Sequence, residues 1–223
     1  MKLVFASNNA HKLAEVRAIM PTGIEVLSLR EIGFLQDIDE TGTTLAENSK
    51  IKALAVADFI AESGKRKAER IDGVFADDTG LEIDAIGGQP GVYTARWYRM
   101  NDGMVTGRAL NDEMMVFAAN RAKALRELEG KSDRGAQFRT VITLIDMRNE
   151  TADAVRSEIQ VEGIVRGRIA TEEYGQGGFG YDPIFIPEGY DKTFGELPAE
   201  IKNGISHRAR ALEKLVEYLK KIQ

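Results

Sequence analysis

Residues 1–21 read MKLVFASNNAHKLAEVRAIMP, and this stretch sets the alternation of strand and helix with which the chain opens. The apolar run at residues 3–6 predicts a short buried strand, and the polar residues 7–9 predict its end. From His11 to Met20 apolar side chains recur at helical spacing, and Pro21 prevents the helix from continuing. The sequence therefore predicts a strand, a polar loop and a helix in succession.

Similar patterns continue along the rest of the chain. They predict strands at residues 25–29, 74–76, 81–83, 138–146, 154–169 and 184–186, and helices from Thr44 to Gly64, from Leu110 to Gly130 and from Ser206 onward. The segment Asp-Asp-Thr-Gly at residues 77–80 is predicted to form a turn between two of those strands.

Two helices carry further predictions. Thr44 and Glu47 have the spacing of a capping box, which marks a helix start. The predicted buried face of that helix comprises Leu45, Ile51, Leu54, Ala55 and Phe59. For the helix from Leu110, the predicted inner side comprises Leu110, Met114, Phe117, Ala118, Leu125 and Leu128. The methionines at positions 104, 114 and 115 are expected to fill a core or a lid.

Composition excludes several functional classes. The 223 residues include 35 acidic and 30 basic side chains, so a net charge of −5 disfavours a duplex nucleic-acid binder. Because there is no cysteine, thiolate catalysis, Cys-ligated zinc and iron–sulfur chemistry are excluded, and a reducing compartment is favoured. Neither a signal-peptide pattern nor an apolar run of roughly 18 residues is present, so we expect a cytoplasmic protein without membrane contact.

The glycine-rich segment at residues 175–180 matches G-x-G-x-x-G, but its context excludes a dinucleotide-binding helix. That motif needs a long helix after it, and Tyr181-Asp182-Pro183 prevents one. The segment at 189–193 resembles a P-loop but has Asp191 where glycine must precede the lysine. Two readings of the glycine-rich segment remain. Its backbone could approach an anion or a flat base beside Phe179 and Tyr181, or it could be a plain turn with core aromatics.

Residues 7–12 lie between the first strand and the first helix, where free amide groups and the helix dipole favour phosphate. Lys12 would add a full positive charge. The alternative is an ordinary N-cap by Asn9 followed by an exposed lysine.

Asp77 and Asp78 lie where the predicted strand ends, and their hard oxygen atoms suit magnesium. Adjacent strand residues face opposite sides, so only one of the two carboxylates should point into a given cleft. Asp39 and Glu40 offer a second acidic position. The alternative for both pairs is solvated turn carboxylates.

At the start of the last predicted helix, His207 and Arg208 can project toward a ligand, with Lys202 one short loop upstream. A catalytic triad is not indicated, because only His11 and His207 could serve as base and no third orienting group is evident. The alternative is a serine cap at Ser206 beside two surface basic residues. The basic run at residues 64–70 is expected to be a solvated connection.

Six segments, in order along the whole chain, resemble the inosine triphosphate pyrophosphatase family. They are Ser7-x-Asn9-x-x-Lys12, Glu47-Asn48-Ser49, ADDTGL at 76–81, GGxPGxYxAR at 87–96, GGFGYDP at 177–183 and Ser206-His207-Arg208. The resemblance implies a mixed α/β fold, with residues 1–223 as one domain of two lobes around a long central sheet. It also implies a nucleotide in the cleft between the lobes, and a homodimer.

The resemblance assigns roles to individual residues. Asp78 would be the catalytic acid–base or magnesium residue, Asp39 or Glu40 would be the second metal carboxylate, and Thr79 would touch the substrate. The phosphates would be held by Ser7, Asn8, Asn9, Ala10, His11 and Lys12. The nucleotide would be enclosed by Phe179, Gly180, Tyr181, Asp182, Lys202, His207 and Arg208.

The implied activity is Mg²⁺-dependent hydrolysis of ITP, dITP or XTP to the monophosphate and pyrophosphate, with a small-molecule nucleotide as partner and no nucleic acid. An alternative is a nucleotide sensor that binds through the same loops without catalysis. A third reading, binding of single-stranded nucleic acid through Phe179, Tyr181 and the basic run, is disfavoured by the net charge.

Overall fold

A computed structural model describes residues 1–64, 70–101, 104–105, 110, 112–148 and 156–222. The chain forms two compact units. Unit 1 comprises Met1–Asp78, Thr140–Gly163 and Arg208–Gln223, and unit 2 comprises Thr79–Arg139 and Ile164–His207. Within the described residues, no helix has both the length and the apolar composition that a membrane crossing requires.

The α-helices are α1 (Ala10–Ile19), α2 (Leu45–Glu62), α3 (Glu113–Glu127), α4 (Ala199–Ile205) and α5 (His207–Lys221). The strands are β1 (Lys2–Phe5), β2 (Glu25–Ser28), β3 (Gly73–Ile83), β4 (Gln89–Gly91), β5 (Met100–Asn101), β6 (Met104–Val105), β7 (Gly135–Asp146), β8 (Ser157–Ile169) and β9 (Phe185–Pro187). Short 3-10 helices lie at Asp84–Ile86, Thr94–Arg99 and Asp182–Ile184.

Unit 1 is built on parallel strands in the order β2-β1-β3. Val4 of β1 is in register with Leu27 of β2 on one side and with Val74 of β3 on the other. Parallel neighbours need a crossover connection, and α1 and α2 provide the two crossovers. The α/β class predicted from the sequence is confirmed.

Alternate residues of β3 pack against different helices, as a strand period of two requires. Val74 and Ala76 lie in a buried cluster with residues of α2. Phe75 lies in another cluster with residues of α5 and stacks on Phe5 at a centroid distance of 5.0 Å. Both faces of the sheet in unit 1 are therefore covered by helices.

The turn predicted at residues 77–80 is wrong, because β3 runs without a break from Gly73 to Ile83. Asp77 and Asp78 are buried strand residues with exposed fractions of 1% and 7%. The alternative that these two carboxylates are solvated is therefore also wrong. Their charges are satisfied by lysine and arginine side chains from helices, which local sequence does not reveal.

The capping box of α2 is confirmed, since Glu47 N donates to Thr44 Oγ1 at 3.1 Å and Thr44 N donates to Glu47 Oε2 at 3.0 Å. The predicted buried face of this helix is only partly right. Leu45 is buried, whereas the other members of that face are half-buried. The residues that α2 buries are Leu45, Asn48, Ser49, Lys52, Ala53, Val56, Ala57 and Ile60.

Unit 2 contains antiparallel pairs. Leu81 of β3 pairs with Gly91 of β4, and Ile169 of β8 pairs with Phe185 of β9. Its core includes Trp97, Phe138 and Phe185. The glycine-rich segment is followed only by the 3-10 helix Asp182–Ile184, so the predicted lack of a dinucleotide-binding helix is confirmed.

The inner side predicted for the third helix also needs correction. Leu128 is buried and Leu125 packs against the core, as predicted, but the residues that α3 itself buries are Asn120 and Ala124, and Ala118 is exposed. Met114 and Met115 are 66% and 58% exposed, so they do not fill a core. Most of the basic run at 64–70, the side chain of Met104 and the first two residues of the strand predicted at 154–169 lie outside the described residues.

Candidate active site

The first group of candidate residues lies in unit 1, beyond the carboxyl end of β1. This strand has β2 on one side and β3 on the other, and ligands of parallel sheets bind at such a point. Ala6 N donates to Phe75 O at 2.8 Å, which aligns the end of β1 with the part of β3 that precedes Asp77. The fold therefore brings the loop of residues 7–9 to the same sheet edge as the paired aspartates.

This loop is ordered by its own polar side chains. Asn9 N donates to Ser7 Oγ at 3.2 Å, and Lys12 N donates to Asn9 Oδ1 at 2.9 Å. The N-cap predicted at Asn9 is thus present. Asn8, Ala10 and His11 are exposed.

Lys12 is not the exposed lysine of the alternative reading. Its Nζ lies 2.9 Å from Asp77 Oδ1, and the side chain is 16% exposed. The other oxygen of Asp77 accepts from Arg208 Nε at 2.9 Å, and Arg208 also pairs with Glu15 of α1. Although burial alone would raise the pKa of Asp77, the two cations hold that pKa well below its usual range. Burial lowers the pKa of Lys12, an effect that Asp77 opposes.

Asp78 belongs to a second ion-pair group. Lys52 Nζ of α2 lies 3.1 Å from Asp78 Oδ1 and 2.8 Å from Glu40 Oε1. Burial raises the pKa of the Asp78 carboxyl, and Lys52 opposes that rise. For Lys52, the neighbouring carboxylates outweigh burial and raise its pKa. Asp39, the other acidic candidate of this segment, is exposed.

Asp78 Oδ2 is buried and has no hydrogen-bond partner among the described residues. A buried carboxylate oxygen without a partner carries a desolvation cost, and native proteins keep such atoms only for a reason. The Asn48 amide nitrogen, one helical turn before Lys52, is likewise unpaired within the described part of the chain. The two atoms have opposite hydrogen-bonding character, because the Asp78 oxygen accepts and the Asn48 amide donates.

The carboxylates of Asp78 and Glu40 suit magnesium, which binds only a few protein ligands. They do not suit a metal ion that takes all its ligands from protein side chains. The described residues contain no group of three or more His, Cys, Asp or Glu side chains that could hold a metal ion. Magnesium is commonly bound through one or two carboxylates, with water and substrate phosphates completing its shell. Asp78, with one unpaired oxygen, and Glu40, which is only half-buried, are two carboxylates of this kind.

Sequence reasoning missed Lys52 and Glu15, and it gave no role to Asn48, which lies in the Glu47-Asn48-Ser49 motif. Lys52 and Asn48 had a usable signal, because they lie four residues apart and continue to Val56 on one helix face. A buried helix position that holds a lysine needs an acidic partner, and Asp77-Asp78 and Asp39-Glu40 were acidic segments already singled out as candidates. Glu15 lies one turn after Lys12, but its pairing with Arg208 spans 193 positions and leaves no local signal.

The second group of candidate residues lies in unit 2, around the loop that contains Phe179. Asp182 Oδ2 accepts from Phe179 N at 2.7 Å and from Lys202 Nζ at 2.6 Å. The same ammonium lies 4.8 Å from the centroid of the Phe179 ring. A side chain at Gly178, where φ is +70°, would collide with Asp182, so glycine is required there.

The remaining candidates of unit 2 differ in exposure. Tyr181 is 4% exposed, and its hydroxyl donates to Thr94 O at 3.0 Å, so its ring is part of the core. Burial raises the pKa of this phenol. His207 is buried and meets the Phe138 ring edge-on at 4.7 Å. Thr79 and Gly180 are half-buried.

Neither His207 nor Arg208 is the surface basic residue of the alternative reading, since their exposed fractions are 6% and 1%. Ser206 ends α4, and α5 begins directly after it. The structure thus places Arg208 with the ion pairs of unit 1 and His207 with the aromatic residues of unit 2.

Comparison with known proteins supports the resemblance seen in the motifs. The model of the Ham1 family matches residues 3–218. The dITP/XTP pyrophosphatase of Flavobacterium johnsoniae is 42% identical over 98% of this chain and 98% of its own length. That of Bacillus subtilis is 42% identical over 97% and 96%. The structure of the Staphylococcus aureus Ham1 protein matches all of both chains with a TM-score of 0.76 and 34% identity. This chain therefore belongs to the Ham1 family.

Proposed function

We propose that this protein hydrolyses non-standard purine nucleoside triphosphates such as ITP, dITP and XTP to the monophosphate and pyrophosphate. The full-length similarity to enzymes named dITP/XTP pyrophosphatase supports this reaction class. The structural observation that carries the proposal is the buried Asp78 Oδ2, which has no partner within the described part of the chain, beside the ion pair of Asp78 with Lys52.

The triphosphate would bind to unit 1. Asn8, Ala10 and His11 would contact the phosphates at the start of α1, where the helix dipole also favours an anion, while Ser7 and Asn9 hold this loop in shape. Lys12 and Lys52 are the two ammonium groups of the site, and Arg208 is tied to Asp77 beside them. Positive charge placed in advance near the departing pyrophosphate would stabilise the transition state.

Mg²⁺ is the proposed cofactor, which Glu40 would bind directly and Asp78 would bind through water, so that Asp78 Oδ2 stays available to take a proton. Glu40 is favoured over Asp39 because its carboxylate shares Lys52 with Asp78, whereas Asp39 is exposed. When bound, the ion would neutralise phosphate charge and polarise the reacting phosphoryl group.

In the proposed reaction, Asp78 orients a water molecule and takes a proton from it through Oδ2. The water oxygen forms a bond to the α-phosphorus, and the bond from that phosphorus to the bridging oxygen breaks. Pyrophosphate leaves with the electron pair. Lys52 would hold the Asp78 carboxylate in position through its contact with Oδ1.

The base would be recognised by unit 2. Phe179 offers a flat face, and Gly180, Asp182, Lys202, His207 and Thr79 would complete the contacts. Tyr181 would support them from the core, where its hydroxyl donates to Thr94 O. A donor directed at the 6-oxygen would accept hypoxanthine or xanthine and would meet another donor, the 6-amino group, on adenine. Leaving such polar groups unpaired discriminates strongly between substrates.

We further propose that residues 1–223 work as one catalytic domain and that the enzyme is a homodimer. We also place it in the cytoplasm, where polymerases draw on the nucleoside triphosphate pool. The similarity to bacterial enzymes over nearly their full length supports the first point.

A panel of purified triphosphates, assayed with Mg²⁺ for pyrophosphate and for orthophosphate, tests the proposal. We expect pyrophosphate from ITP, dITP and XTP and little turnover of ATP. Release of orthophosphate would instead identify a phosphatase. Tight ITP binding without any product would favour the nucleotide sensor.

A further inference from the structure

Arg121 of α3 contacts the loop that carries Phe179. Arg121 Nη1 donates to Gly180 O at 2.9 Å. On its other side, Arg121 Nε lies 2.9 Å from Glu173 Oε1, as an ion pair rather than an aligned hydrogen bond. The Arg121 side chain is only 11% exposed. One guanidinium thus contacts both ends of the segment from 173 to 180.

A second contact lies on the same face of α3. Phe117, four residues before Arg121, has its ring centroid 6.1 Å from that of Phe179, with an angle of 44° between the rings. Residues four apart are neighbours on a helix surface. The helix therefore touches both the backbone of the loop and the ring that we assign to base recognition.

The loop needs such external contacts because of its composition. Gly175, Gly178 and Gly180 all adopt positive φ, and glycine loses more conformational freedom on ordering than any other residue. Asp182 holds the amide of Phe179 from within the loop region. Arg121 fixes the next carbonyl, that of Gly180, from a different element.

We propose that Arg121 is a positioning residue for recognition of the purine base. It orders the Gly180 backbone and thereby the Phe179 ring before the substrate arrives. Ordering a loop in advance improves affinity because less entropy is lost on binding. The proposal rests on the function proposed above, in which Phe179 contacts the base and unit 1 binds the phosphates.

The test compares a ligand that has a base with one that has none. In Arg121→Ala we expect the KM for ITP to rise about tenfold while kcat stays within about twofold, the pattern of lost uniform binding. The inhibition constant of inorganic tripolyphosphate should not change, because that ligand has no base. Arg126→Ala, on the exposed surface of the same helix, is the matched control and should match wild type in both quantities.

Two milder variants guard against misfolding. Arg121→Lys can reach only one of the two partners, and Glu173→Gln removes the ion pair but keeps the bond to Gly180. Both should raise the KM for ITP by less than Arg121→Ala does, with an unchanged melting temperature. Equal increases for ITP and tripolyphosphate, or a wild-type KM in all three variants, would overturn the inference.

The test of Arg121 can be told apart from a failure of the proposed hydrolysis reaction. If the wild-type protein binds ITP but releases no pyrophosphate, the proposed reaction is wrong. The role of Arg121 is then measured from dissociation constants, where a weaker ITP complex with unchanged tripolyphosphate binding supports it. Unchanged ITP binding in Arg121→Ala contradicts it.

Discussion

The two groups of candidate residues differ in the chemical groups that they contain. In unit 1 the group consists of charged side chains joined by ion pairs. The aspartates come from β3, the two lysines from α1 and α2, and Arg208 from α5. In unit 2 the group consists of a glycine-rich backbone, the Phe179 ring and the pair Asp182–Lys202. Charge recognises phosphate, which all nucleoside triphosphates share. Aromatic faces and backbone groups recognise the base, by which those triphosphates differ.

This difference separates the expected effects of substitution. Changes in unit 1 should alter turnover or stability for every triphosphate alike, whereas changes around Phe179 should alter the preference among bases. Within unit 1, the neighbours Asp77 and Asp78 should also differ. Both oxygens of Asp77 are bonded, one to Lys12 and one to Arg208, whereas one oxygen of Asp78 has no partner among the residues that the structure describes.

The largest effect is expected for Asp78→Asn. Loss of the carboxylate that takes the proton should lower kcat by about 10²–10⁴-fold for every substrate. The free energy of unfolding should change little, because burial already opposes the ionised form of this carboxyl. Steady-state kinetics with ITP and dITP, with thermal melting alongside, measure both quantities. Near-normal turnover would remove Asp78 from the mechanism.

Asp77→Asn should act mainly on stability. It leaves Lys12 and Arg208 without their shared carboxylate, and removing one partner of a buried ion pair costs about 3–5 kcal/mol. Chemical denaturation at pH 7 measures the loss. A stability equal to that of wild type would contradict the assignment of Asp77 as the buried counter-ion.

The pH dependence of that loss has a definite sign. The folded-state pKa of Asp77 is depressed, so its stabilising contribution is complete above the unfolded pKa of about 4 and falls as the pH drops toward the folded value. The gap between wild type and Asp77→Asn should therefore be constant from pH 7 to about 5 and shrink below about 4. A gap that narrows between pH 7 and 5 would contradict this explanation.

Phe179→Ala is expected to have a smaller, base-dependent effect. Stacking on an aromatic ring contributes about 1–3 kcal/mol per base, so the KM for ITP should rise about 5- to 150-fold. The inhibition constant of tripolyphosphate should stay at the wild-type value. A parallel loss of affinity for both ligands would mean that the loop of unit 2 also holds the phosphates.

The smallest effect is expected for Thr44→Ala, which removes the N-cap of α2. Loss of this cap should cost about 1 kcal/mol, equivalent to a melting temperature lower by roughly 2–4 °C. Kinetic constants should be unchanged for all substrates, since Lys52 lies two turns further along. A drop in kcat without a change in melting would show that the start of α2 takes part in the reaction.

Local sequence predicted where helices and strands form better than it predicted which of their residues are buried. The strand and helix at the start of the chain and the capping box of α2 follow from short-range patterns, and the structure has all three. The buried face of α2 did not follow from apolar spacing. The buried side of this helix includes the polar residues Asn48, Ser49 and Lys52. Because apolar spacing ignores polar residues, it selected the half-buried residues beside that face instead.

The break predicted at residues 77–80 failed for a related reason. Asp, Thr and Gly are turn formers when their side chains meet water. Here the charge of Asp77 is matched by Lys12, 65 positions away, and by Arg208, 131 positions away. Such partners are chosen by the fold. Motif order could single out Asp77 as a candidate, but its ion pairs could be seen only in three dimensions.

The position of water attack can be measured by hydrolysing ITP with Mg²⁺ in oxygen-18 water and analysing both products by mass spectrometry. If Asp78 directs water to the α-phosphorus, one labelled oxygen appears in the inosine monophosphate and none in the pyrophosphate. Label in pyrophosphate, or labelled orthophosphate, would place the attack at another phosphorus and contradict the proposed reaction.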